Sequence, residues 1–151
     1  MKKRIFVVGI GLLLVSVALL SCAPMQKTVI TKNNLSILKG SWQGWTSFST
    51  ASATPVLTSM DINNDTVPLM GKMVLFNLPQ PIANIFPGAA LPAGNNVTID
   101  FASGEISSEG TFVNHGGKNF IELTLFAGEK PKLNGWFYYY GVKGTMELNK
   151  K

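Results

Sequence analysis

The chain has 151 residues, with thirteen basic and eight acidic side chains, a formal charge of +5, and 46% hydrophobic and 10% aromatic residues. Lys2, Lys3 and Arg4 stand in the first few positions; without them the balance is 10 − 8 = +2 and no arginine remains, so the bidentate reader of phosphates and guanines is missing and nucleic acid is not expected as a partner. The one cysteine, Cys22, has no second thiol to pair with, so stability must come from packing, and about 110 residues beyond the N-terminal region suffice for one core but not two.

In chain order, the first element is "MKKRIFVVGIGLLLVSVALLSC": a charged head, an apolar run from Ile5 to Leu20, then Ser21 before Cys22. This is the pattern of a secretion signal, and the run is short for a comfortable membrane span of about 20 residues. With the cysteine directly after "LLS", the segment resembles a bacterial lipoprotein signal. That resemblance implies removal of residues 1–21, lipid on Cys22, and, with Ala23 rather than an aspartate next, delivery to the outer membrane of a Gram-negative-type cell. The multiple acyl chains such processing adds would anchor the protein stably. Residues 22–37 are polar without a sustained period and are expected to form a tether, leaving 38–151 as the folded domain.

Five glycines then stand two places before a large apolar residue: Gly40 and Trp42, Gly71 and Met73, Gly110 and Phe112, Gly135 and Phe137, Gly144 and Met146. Residues two apart in a strand share a face, and glycine there permits tight coiling or close backbone approach. Alternation between these markers predicts about eight strands, near 40–48, 55–62, 68–77, 95–101, 105–113, 119–126, 132–140 and 142–149, with Ser103 and Gly104 turning between the fourth and fifth. Short sequential connections predict an all-β fold, an antiparallel up-and-down barrel of about eight strands, with a β-sandwich as the alternative.

A first strand carrying "GSW" followed by about eight short strands with recurring glycines and aromatics resembles the calycin group, the lipocalins and avidin-like barrels. The resemblance implies a structural Trp42 at the closed end and an interior able to hold a small apolar ligand. The basic residue that often covers this tryptophan in lipocalins has no counterpart in this reading.

If the glycine-marked face is interior, "GWFYYYG" points Phe137 and Tyr139 inward and Trp136, Tyr138 and Tyr140 outward. Trp45 joins those outer rings across the first and last strands. Large exposed aromatics rimmed by charge have the composition of a protein contact surface. The Pro-rich stretch 77–95 is longer than a hairpin needs; its Ile82, Ile85 and Phe86 have helical spacing and are expected to lid or plug the barrel mouth. Together with Tyr139, Met60, Met73 and Met146 they make the candidate ligand-binding set.

No catalytic, metal or cofactor residues are expected. His115 is the only histidine and has no second ligand to share a metal with. Asp100, Glu105 and Glu109 fall on the polar side of their strands, a poor setting for a paired-carboxylate enzyme. Two functions remain: a lipid-anchored binding module for an apolar small molecule inside the barrel, or an adaptor docking on an envelope protein or on a second copy.

Overall fold

The computed structural model describes residues 25–49, 54–85, 95–116 and 119–151. The predicted signal, Cys22 and Phe86 lie outside them. Among the described residues no helix is long and apolar enough to cross a membrane.

Among the described residues nine strands follow in order: β1 Gln26–Thr28, β2 Gly40–Phe48, β3 Val56–Ile62, β4 Leu69–Leu75, β5 Val97–Ile106, β6 Phe112–Gly116, β7 Asn119–Ala127, β8 Lys132–Tyr139 and β9 Val142–Lys150. From β2 to β9 each pairs antiparallel with the next, and β9 closes onto β2 with Trp42 opposite Lys150. The result is a closed, eight-stranded up-and-down barrel plus one extra strand. Every buried-face residue of β2, β3 and β9 falls on an alternate position, as a strand with one wet side requires.

The glycine-bearing face is the inner wall. Phe137, Trp42, Met60 and Met73 are fully buried. An added Cβ at Gly44, Gly71 or Gly135 would run into the carbonyl oxygen of Glu147, Asp61 or Glu122 respectively. Only a residue without a side chain lets strands coil that tightly, which is how a small barrel closes. An eight-stranded barrel is just wide enough for side chains to fill it, and here Trp42, Phe112, Phe137, Leu123, Leu125 and Leu133 do so.

The two ends differ. The lower end carries the turns at 63–68, 107–111 and 128–131 and is capped by the 3-10 turn Leu35–Ile37, which buries Leu35 and Leu38. There the Trp42 indole N–H donates to the Leu38 carbonyl at 2.7 Å. Contrary to expectation, a basic residue does cover this ring: Lys150 Nζ lies 5.5 Å from its centroid and donates to the Ile37 carbonyl at 2.5 Å. The pairing of the last strand with the first brings it there. At the upper end, the short helix α1 Gln80–Ala83 inserts Ile82 and Ala83 into the core.

Two expectations need correction. Residues 22–37 do not form a free tether from end to end: β1 pairs with β7 from Gln26↔Ala127 to Thr28↔Leu125, and Ile30 is buried with its N–H on the Gly110 carbonyl at 2.9 Å. The cause is that β6 leaves β7 at Phe112↔Leu123, so β7 has an open edge beyond that point, which β1 takes up. Nor is there a turn at Ser103 and Gly104. β5 continues through both to Ile106, and the chain reverses at Ser107–Gly110, where Gly110 has φ +70. Gly104 serves packing instead, since a Cβ there would press on Phe112 and Leu69.

Candidate interaction surface

β8 supplies rings to both sides of the wall. Phe137 enters the core, where Phe48 meets it edge-on at 5.8 Å, while Trp136 and Tyr138, half-buried, lie on the outer face. Tyr138 is in register with Phe120 of β7 and Lys143 of β9, and Phe120 with His115 of β6. These four side chains therefore form one row across four strands. Phe120 is the hub: it stacks on Tyr138 at 5.8 Å, meets Trp136 edge-on at 4.6 Å and lies 5.9 Å from the His115 ring. Lys143 Nζ sits 4.9 Å over the Trp136 ring, a cation–π contact that ties the charge to the patch.

Phe120 was not anticipated from the sequence. The signal was available: "NFIELTLF" alternates, so with Ile121, Leu123 and Leu125 inward, Phe120 shares the outer face with Glu122 and Thr124. The pairing of β7 with β8 is what turns it into part of the surface.

Tyr140 is not in the outer row of the strand but at the tip of the β8–β9 hairpin. It has φ +47, followed by Gly141 at +88, the pattern of a two-residue turn with both central residues left-handed. Its backbone N–H donates to Asn119 Oδ1 at 2.8 Å, and its side chain is 48% exposed. Such turns favour asparagine or glycine at this position; a tyrosine there costs roughly 1–2 kcal/mol.

Trp45, 56% exposed, stands apart from that row. It is in register with Glu147, which pairs with Asn134, and borders an open groove of about 710 Å³ with Ser47, Pro55, Asn134, Thr145 and Glu147. At the edge of this groove the Asn134 Oδ1 is buried with no hydrogen-bond partner among the described residues. Lys132 holds Glu147 in an ion pair at 3.2 Å.

The inner set is placed differently. Met60, Met73, Met146 and Ile82 are packed core side chains, each 4% exposed or less. Ile85 is 43% exposed and faces away from the core that Ile82 enters. Tyr139 packs against the core from the inner face of β8 and meets Tyr140 edge-on at 4.8 Å. Burial, with Tyr140 adding to it, raises the Tyr139 phenol above its ordinary pKa of 10.0.

Asp100, Glu105, Glu109 and His115 are all exposed, and Asp100 is in register with Lys72. Among the described residues no group of three His, Cys, Asp or Glu side chains is arranged to hold a metal ion. Comparison of the chain with protein-family models, with curated proteins and with solved structures finds no match.

Proposed function

We propose that this chain is a lipid-anchored, non-catalytic binding module of a bacterial cell envelope, calycin-like in its barrel, that docks a protein through the outer surface centred on Phe120, Trp136 and Tyr138. The anchor is Cys22, and the compartment is the outer membrane.

One observation carries the docking reading. On the outer face of a wall whose inner face is already closed by Phe137, the Phe120 ring touches both Trp136 and Tyr138. The core does not need them, and Trp, Tyr and Phe are the side chains in which interfaces and their hot spots are enriched. Tyr140 supports the same reading, because a bulky residue kept in a left-handed turn costs stability that the fold alone would not retain. The alternative, an apolar small molecule inside the barrel, would require Met60, Met73, Met146 and Ile82 to leave packed positions.

The test is site-specific photocrosslinking in the native envelope. A photoreactive residue at position 138 should capture one defined protein or a second copy, while the same residue at exposed position 98 on β5 should not. Equal or absent capture at both positions would overturn the docking surface. Native mass spectrometry of the detergent-extracted protein addresses the alternative, since a retained small molecule would favour the interior.

A further inference from the structure

We propose that the barrel is seated with its lower end directly against an anionic membrane surface, rather than held away from it on a leash. The seating rests on the Cys22 anchor of the proposed function.

The first argument is reach. β1 begins at Gln26 and is fixed to β7 by its ladder. Only the links from position 22 to position 26 lie between the lipid-bearing cysteine and that fixed point, and four residues span at most about 14 Å. A tether running to position 37 would have allowed the domain to hang well clear of the headgroups. The observed chain does not.

The second argument is what the lower end exposes. Among the described residues, the large hydrophobic side chains left exposed are Met25, Val29, Trp45, Val67, Met70, Ile85 and Tyr140. Met25 and Val29 flank β1, Val67 lies in the lower turn at 63–68, and Met70 follows at the foot of β4. Four of those seven therefore cluster at the end where the anchor enters. Apolar side chains beside a lipidated chain terminus match the headgroup–acyl boundary, which takes up such groups when charge assists.

The third argument is charge. The arc formed by β1, the β7–β8 turn and the end of β9 carries Lys27, Lys130, Lys132, Lys150 and Lys151, against Glu129 and Glu147. Lys132 neutralises Glu147, and Lys150 is committed to the Ile37 carbonyl. Lys27, Lys130 and Lys151 are exposed and take part in neither of the ion pairs between described residues. Around the rest of this end Lys32 lines one groove together with Glu105, and Lys39 pairs with Asp65 at 3.7 Å. The basic arc is thus the one that adjoins the anchor. Within about a Debye length of 8–10 Å an anionic leaflet attracts it, and the chain length keeps it in that range.

The experiment uses the full-length protein, processed in its host, purified in detergent and reconstituted into vesicles of zwitterionic lipid containing about a third phosphatidylglycerol. A membrane-impermeant amine reagent is applied in detergent and in vesicles, and the labelling of each lysine is read by mass spectrometry as a ratio between the two. The expected result is at least a threefold fall on reconstitution for Lys27, Lys130 and Lys151, with Lys72 and Lys143 unchanged. An equal ratio at all five overturns the seating. The intact mass of the same sample separates the two ideas. Lipid on Cys22 with uniform labelling overturns the seating and leaves the anchor. No lipid but selective protection supports the seating by the basic arc alone and overturns the anchor, and no lipid with uniform labelling overturns both.

Discussion

Tyr140 is the residue at which folding and recognition pull in opposite directions. Asparagine at this position would give the Asn-Gly pair that two-residue hairpins prefer and relieve the left-handed backbone, at the loss of one edge-on contact with Tyr139. Tyr140→Asn should therefore stabilise the barrel by roughly 0.5–1 kcal/mol in urea titration while weakening crosslinking from position 138. A destabilised variant would show that the ring supports the fold. Tyr139 sets a pH window. Its folded-state pKa lies above the unfolded value near 10.0, so as pH rises past 10 the unfolded chain releases its proton first. Stability attributable to this group is complete below that pH and is lost as pH climbs through the raised folded value. Between pH 9 and 11 the wild type should lose more stability than Tyr139→Phe, measured as the urea midpoint; parallel curves would refute the shift.

Among the elements, the plug is the one whose two readings separate most cleanly. Ile82 enters the core from α1 and Ile85, one turn on, does not. Ile82→Ala should cost about 2–4 kcal/mol in equilibrium unfolding, because it removes buried methylenes and leaves a cavity. Ile85→Ala should stay within about 0.5 kcal/mol. Near-equal small effects would mean that the segment lifts off as a lid. The bounds of β2, β8 and β9 were legible within a residue: alternation marks β9 as a wall with one dry and one wet side, and the glycine–large-apolar pairs Gly40/Trp42 and Gly135/Phe137 mark β2 and β8. β1 was not legible: three polar residues carry no period, and they are ordered only because β6 leaves part of β7 unpaired. The false turn in β5 has a similar origin, since Ser-Gly reads locally as a reversal, whereas Gly104 answers to the Phe112 ring across the sheet. On the surface, Trp45, Trp136 and Tyr138 followed from alternation, but the gathering of Trp136 and Tyr138 around Phe120, and the separation of Trp45 from them, depended on register, which a single strand does not contain.

At the scale of the whole molecule, one core runs from Leu38 and Trp42 at the lower end, through Phe137 and Leu123, to Leu78 and Ile82 at the upper end. Among the described residues its buried polar side chains pair locally: the Thr46 and Thr58 hydroxyls, on inward positions of β2 and β3, bond to each other at 2.7 Å, and Asn114 Oδ1 accepts from the Ser103 hydroxyl at 3.1 Å. β2 and β9 pair from Trp42↔Lys150 to Phe48↔Gly144, and nine residues of β9 at about 3.3 Å each give a contour of roughly 30 Å before tilt. The aromatic row and Tyr140 sit toward the upper rim, away from the end where the N-terminal arm is fixed. A rigid body of this kind would present the docking surface at a set height above the bilayer, which a jointed one would not. Rigidity of that sort has an equilibrium signature, because ends sharing a single core must unfold together. In a Trp45→Phe, Trp136→Phe background the remaining Trp42 reports on the lower end, and a fluorophore attached to a cysteine substituted at Ile85 reports on the upper plug. Their urea transitions should coincide in midpoint and slope. If the plug melts at lower urea than Trp42, the upper end is an independent unit, and a fixed height for the aromatic surface fails with it.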